Sequence, residues 1–322
     1  MKKIFLLLII AFGGATMNAQ QDYHFSQFMY SQLAINPGSA GSNEMICASL
    51  IQRYQWAGMD NGAPTTFAGG IDAPFKLFGI KSGAGIFFTN DQIGFNKDQS
   101  VKFSYAFRVD AGSGKLGIGF NVGVQDKGIS DAEWMAYNSE SGLIESVPGF
   151  PGEENVINVD GGVGLFYKTE DVYLGLSATH IAPSTFDFEG ESSSEEKNTL
   201  SYKNKTHYFL TAGYRIQMNN PLFEFLPAMM LYSDGRISQL VANATIQYNK
   251  KIWGGISYRV GSAIIGMVGF EPIKDVQLGY AYDFEVSDLG RYFRNSHEIM
   301  LRYCFSLSVD KLPKKYKSVR FL

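Results

Sequence analysis

Residues 276–286 read VQLGYAYDFEV, with Val276, Leu278, Tyr280, Tyr282, Phe284 and Val286 at even positions and Gln277, Gly279, Ala281, Asp283 and Glu285 at odd ones. Side chains alternate across a strand, so this stretch makes a ribbon with one apolar face and one polar or small face. The same split recurs in Val101, Phe103, Tyr105, Phe107 and Val109 against Lys102, Ser104, Ala106 and Arg108. It returns in Ile299, Leu301, Tyr303, Phe305 and Leu307 against Glu298, Met300, Arg302, Cys304 and Ser306, and in 116–125 the small face is mostly glycine. Working outward, about fourteen strands fit between residues 44 and 308. Most are near the roughly 9 to 11 residues with which a tilted strand crosses a bilayer. Long connections follow odd strands, at 127–156 and 182–204, and tight turns follow even ones, at 110–114, 169–170, 250 and 273–274. A soluble sandwich also buries one face of each strand, but sorting long loops from short turns in this way belongs to a barrel. The expected fold is therefore all-β: a transmembrane antiparallel β-barrel with both termini on the short-turn side, the periplasm of an outer-membrane barrel. Closure removes every sheet edge, the condition for strands in lipid.

The flanks divide the chain further. Lys2 and Lys3 precede the apolar run Ile4 to Phe12, and Ala15 to Ala19 approach a cut before Gln20, so 1–19 reads as a cleavable signal peptide. Such a run is too short to span as a helix, and no later segment approaches the ~18 uninterrupted apolar residues a membrane helix needs. Residues 20–43 form an N-terminal segment on the periplasmic side, 44–308 the barrel and 309–322 a basic tail. Phe25, Phe28, Met29 and Leu33 recur at helical spacing before Asn36-Pro37, a pair that stops a helix. That segment is either a leader packed on the barrel base or a plug inside it. The full chain carries a formal charge of −3, made more negative by loss of Lys2 and Lys3. With no basic run through the body, nucleic acid is excluded as a partner.

One Arg or Lys facing lipid near the midplane costs about 2 to 4 kcal/mol, so the charged faces point into the lumen. The candidate lumen or partner-binding residues there are Arg108, Arg259, Asp283, Glu285, Glu298 and Arg302, with Lys102 alongside. Four histidines without metal-ligand spacing and no nucleophile motif argue against an enzyme, a metal site or a cofactor. Ser296, His297 and Glu298 are adjacent on one strand and therefore face opposite ways. Cys47 and Cys304 fall on the first and last strands, at similar height once the barrel closes. The expectation is two separate, unbonded thiols, with a bond between them as the alternative.

The stretches FSQFMYSQLAINPGSAGS (Phe25 to Ser42), RYQWAGMDNGAPTTF (Arg53 to Phe67), GLSATHI (Gly175 to Ile181), LGYAYDF (Leu278 to Phe284), SHEIMLRY (Ser296 to Tyr303) and SVRFL (Ser318 to Leu322) resemble the PorP/SprF family of outer-membrane proteins. Asn36 and Pro37, with Arg53, Gln55 and Trp56, are the more specific blocks, and they join Arg108, Arg259, Asp283, Glu285, Glu298 and Arg302 as candidate lumen or partner-binding residues. The resemblance implies a non-enzymatic barrel of type IX secretion and gliding motility. Its partners would be outer-membrane lipid, a large secreted surface protein held through its C-terminal region, and periplasmic ring lipoproteins of that machine. A channel for small solutes is the other reading. The insertion at 127–156, with Trp134 and Pro148 to Pro151, and the acidic stretch Glu189 to Glu196 are candidates for client choice or plain solvated loops.

Overall fold

The computed structural model describes residues 23–59, 62–129, 135–138, 143–146, 153–182, 184–189, 199–287 and 295–306. The strands are β1 (Ile46–Tyr54), β2 (Thr65–Leu77), β3 (Ile80–Ile93), β4 (Asn96–Ala111), β5 (Gly114–Ile129), β6 (Met135–Asn138), β7 (Leu143–Ser146), β8 (Glu154–Lys168), β9 (Val172–Thr179) and β10 (Thr185–Glu189). They continue with β11 (Thr199–Lys203), β12 (His207–Tyr214), β13 (Ile216–Gln217), β14 (Phe223–Ser233), β15 (Ser238–Tyr248), β16 (Ile252–Arg259), β17 (Ala263–Ile273), β18 (Val276–Glu285) and β19 (Ser296–Phe305). Fourteen of them close into one antiparallel barrel. Each pairs with its chain neighbour, β12 bonds to β14, and β19 returns to β1 with Ile46 opposite Phe305 and Tyr54 opposite His297. β13 continues the β12 edge along β14. The two long connections each hold a hairpin that the alternation pattern passed over, β6 with β7 and β10 with β11.

Burial follows the sequence alternation. On β4, Val101, Phe103, Phe107 and Val109 are exposed while Lys102, Ser104, Ala106 and Arg108 are buried. Leu174, Leu176, Ile256, Ile264, Val268, Ile299 and Leu301 continue the same exposed apolar surface around the barrel. Such an outside suits hydrocarbon, with every strand paired on both sides. Turns fit the twist of the strands: Phe78 and Gly79 both take positive φ (50° and 84°), the two-residue turn that right-twisted hairpins favour.

The N-terminal segment lies inside the barrel. It is a 3₁₀ turn (Phe28–Tyr30), a single helical turn (Gln32–Ile35) and a second 3₁₀ turn (Pro37–Ser39), not one continuous helix. Ser31 interrupts it at φ −121°, ψ 37°. The apolar side chains then serve different walls. Phe25 packs with Ile51, Ala68, Phe87, Trp253 and Met300, Phe28 with Phe209, Met230, Tyr232 and Val241, and Met29 against Ala263, Ile265, Met267 and Ala281. Asn36 ends the helical turn as expected and caps the next, its side chain accepting a hydrogen bond from Gly38 N–H (2.9 Å).

One expectation fails. Cys47 and Cys304 are directly opposed across the β1–β19 seam, with Cα atoms 4.1 Å apart, and they form a disulfide. Closure brings their Cβ atoms to the same height on adjacent strands, so the neighbourhood itself supplies the geometry of a bond. The signal peptide, Trp134, Pro148 to Pro151, the acidic stretch past Glu189 and the basic tail lie outside the described residues.

Candidate functional site

The lumen is built around buried charge. Arg53 on β1 lies opposite Glu298 on β19, and Asp283 projects from the adjoining β18. Arg53 Nη2 meets Asp283 Oδ2 at 2.7 Å, and Nη1 meets Glu298 Oε2 at 3.1 Å. Arg259 Nη1 approaches Asp283 Oδ2 at 3.5 Å. The side chains of Arg53, Asp283 and Glu298 are 1%, 2% and 0% exposed, so water does little to screen them. Two guanidinium groups and two carboxylates balance, which is the condition for keeping ionised groups in a closed interior.

This cluster holds the N-terminal segment. Ser26 N–H donates to Glu298 Oε2 (2.7 Å) and Gln27 N–H to Oε1 (2.8 Å). The Ser26 hydroxyl donates to Asp283 (2.7 Å) and accepts from Arg53 Nη1 (2.7 Å). Three strands and the segment thus meet at one serine. Nothing in local sequence pairs Ser26 with residues 257 and 272 positions away.

Further along, the glycine faces of β5 and β8 become a seat. A Cβ on Gly119 would lie 2.4 Å from Gly38 N, and one on Gly164 would lie 2.1 Å from Asn36 Oδ1. Only residues without side chains let the Asn36–Ser39 turn approach this closely. Asn36 Nδ2 then donates to Leu165 O (2.9 Å) and the Ser177 hydroxyl to Ile35 O (2.7 Å). Toward the chain-end side, Arg108 bonds to Gly41 O and pairs with Glu44 (2.8 Å), which also meets Lys115 (3.0 Å). Burial alone would raise the Glu44 pKa, but the Lys115 hydrogen bond and the charges of Arg108 and Lys115 outweigh it and hold the carboxyl below its usual range.

A second polar group fills the opposite end. Lys102 Nζ meets Asp160 at 2.8 Å, and His180 Nδ1 lies 2.9 Å from the same carboxylate. Asn204 donates to Gln125 (2.6 Å), which donates in turn to Asp98 (2.8 Å). Above it the β10–β11 hairpin turns Phe186 and Phe188 onto Ile129, covering this part of the lumen.

The sequence candidates therefore separate. Arg53, Asp283, Glu298 and Arg259 converge, and Asn36 and Pro37 lie in the glycine seat. Arg108 belongs to the chain-end side. Arg302 donates to Gln277 Oε1 (3.3 Å) and faces a cavity of about 80 Å³ shared with Tyr30, Asp72 and Lys168. Glu285 accepts from Ser287 Oγ (2.6 Å) at the rim. Gln55 and Trp56 lie beyond β1, where Gln55 N–H donates to Pro64 O (2.9 Å) and Trp56 N–H to Ser296 Oγ (3.3 Å). His297 faces out toward Tyr280 OH (2.7 Å) while Glu298 faces in, so the two share no site. Among the described residues no three or more His, Cys, Asp or Glu side chains could hold a metal ion.

Solved barrels resemble this one only distantly. The CymD monoaromatic hydrocarbon channel is 12% identical with a TM-score of 0.48 over 88% of this chain and 93% of its own. The Pseudomonas putida toluene transporter TodX is 12% identical with a TM-score of 0.45, covering 88% and 94%. The β domain of the Bordetella autotransporter BrkA is 13% identical with a TM-score of 0.35, covering 81% and 99%. No curated protein sequence matches the chain. The family described as type IX secretion system membrane protein PorP/SprF matches residues 17–303, nearly the whole of the barrel and its internal segment, and the chain is a member of that family, an outer-membrane β-barrel.

Proposed function

We propose that this barrel is a docking subunit for a large secreted surface protein in type IX secretion or gliding motility, bound through that protein's C-terminal region. The observation that carries the reading is the occupied lumen. The chain's own residues 25–42 cross it and are fastened by the Ser26 cluster and the glycine seat, which suits a docking body better than a conduit. The β6–β7 and β10–β11 hairpins belong to connections that leave the same end of the barrel. Facing outside the cell, they and the upper lumen would receive the client. The chain ends and the short turns, with the basic tail Lys311 to Arg320, would then face periplasmic ring lipoproteins.

The test is affinity purification of a tagged copy from native outer membranes in mild detergent, with mass spectrometry of what stays bound. A large secreted protein or ring components recovered in proportion to the bait support docking. A barrel recovered alone from cells that are actively secreting would overturn it.

A further inference from the structure

Arg53, Lys102, Arg108 and Arg259 each meet a carboxylate at 3.5 Å or less inside the barrel. Arg302 on β19 and Lys168 at the end of β8 are different. Among the described residues Arg302 donates to Gln277 Oε1 (3.3 Å) and reaches Cys47 Sγ (3.7 Å), while Lys168 donates to Asn43 Oδ1 (2.7 Å). None of these acceptors carries a charge. Both cations keep N–H donors beyond those so used. A guanidinium stays ionised at every ordinary pH, and holding it in a closed interior without a counter-ion is costly.

Both side chains line one cavity of about 80 Å³ between the wall and the internal segment, with Tyr30 and Ser31 on its inner side. A cavity admits a first water at roughly 10 to 15 Å³, so this one has room for a tetrahedral oxyanion. Tyr173 lines it as well, and its hydroxyl is buried without a hydrogen-bond partner among the described residues. The carboxylate in the lining is Asp72, whose Oδ2 accepts from Gly41 N–H (2.7 Å), leaving Oδ1 as an acceptor. Two cations against one carboxylate leave the cavity with an excess of positive charge. Lys168 also lines a wider mouth of about 540 Å³ on the chain-end side, where Lys115 and Arg215 stand with Glu44, Asp110 and Glu170. Its ammonium group therefore lies between that mouth and the inner cavity.

We propose that this cavity is a site for inorganic phosphate, held by Arg302 and Lys168. The planar fork of a guanidinium presents paired N–H groups to two oxygens of an oxyanion, and the ammonium adds a second positive charge. The Tyr173 hydroxyl is a further donor. Asp72 decides between anions. Near neutral pH hydrogen phosphate retains an O–H that donates to the carboxylate, whereas sulfate brings only acceptor oxygens and meets repulsion there. The bound anion touches Tyr30 and Ser31 on one side and β8 and β19 on the other, so it fastens the internal segment to the wall. That contact is separate from client docking.

The experiment titrates inorganic phosphate into the purified full-length barrel in maltoside micelles at constant ionic strength, with sulfate in parallel, and follows binding by calorimetry. The expected result is saturable binding of a single phosphate, with sulfate weaker by about tenfold or more, the scale of one charge-assisted hydrogen bond. Arg302→Met should weaken phosphate by a similar factor, and Asp72→Asn should narrow the preference for phosphate over sulfate. Amide hydrogen exchange at 29–33 should slow when phosphate is bound. Absence of saturable phosphate binding to the wild-type barrel overturns the proposal, and that result is decisive even if the variants fail to fold. Equal affinity for sulfate also overturns it. Binding unchanged in Arg302→Met does the same and marks an adventitious ion only.

Discussion

Arg53→Met should loosen the internal segment before it loosens the barrel. The substitution keeps an apolar stem of similar reach and removes the guanidinium that touches Ser26, Asp283 and Glu298 together. Arg259 alone, 3.5 Å from Asp283, is then left facing two carboxylates whose side chains are 2% and 0% exposed. Removing one partner of a buried pair costs about 3 to 5 kcal/mol, because the charge left behind is desolvated and uncompensated. The Ser26 hydrogen bond lost at the same time falls within that range, since both losses act on the same groups and are not additive. Equilibrium urea unfolding in micelles measures the global cost, and limited proteolysis within 23–45 reports the local one. Combining Arg53→Met with Glu298→Gln should cost less than the sum of the single changes, because the second change removes the stranded charge. A single variant within about 1 kcal/mol of wild type, with 23–45 equally protected, would refute the idea that this cluster anchors the segment.

Other consequences are as direct. Non-reducing peptide mass mapping should recover Cys47 linked to Cys304, and Cys47→Ala should lower stability by up to about 5 kcal/mol, the closure entropy of a very long loop. Gly119→Ala places a methyl against the Asn36–Ser39 turn and should cost about 1 to 3 kcal/mol by overpacking, with faster hydrogen exchange at 36–40. Phe103→Arg, on the apolar outer face, should cost about 2 to 4 kcal/mol in a bilayer, measured by folding into vesicles. In the β14–β15 turn, burial pushes the Asp234 carboxyl up, but the Ile237 and Arg236 N–H groups and Lys205 outweigh it and bring its pKa down to about 2. The folded value lies below the unfolded one of roughly 3.9, so its stabilisation is complete above that pH and is lost as pH falls toward about 2. The unfolding difference between wild type and Asp234→Asn should shrink over that window.

The strands were legible because a lipid-facing surface demands an unbroken apolar side, and Val276–Glu285 or Ile299–Leu301 offer no other arrangement. The charged residues read as facing inward do so, since lipid penalises the opposite choice. Partnership was not legible. Asp283 and Glu298 are conspicuous as inward carboxylates, but their meeting with Ser26 follows from closure of the ring, which joins opposite ends of the chain. The glycine face of β5 was visible in the sequence, while its purpose depends on the Asn36–Ser39 turn, held by tertiary contacts rather than by helical periodicity. The spacing of Phe25, Phe28, Met29 and Leu33 suggested one helix, whereas a segment surrounded by strands must point its side chains at several walls. The short β10–β11 hairpin offers too few alternating residues to stand out within a long connection. Cys47 and Cys304 showed their proximity but not their bond, because sequence gives strand position and not the distance between Cβ atoms.

The central claim is that the lumen is a packed interior, filled by residues 25–42, and not a passage. Planar-bilayer recording on the purified full-length barrel tests it most directly. The account predicts an electrically silent insertion whose lumen stays closed to small ions. Steady ohmic conductance from the intact wild-type barrel would contradict it and move the protein to the class of solute channels.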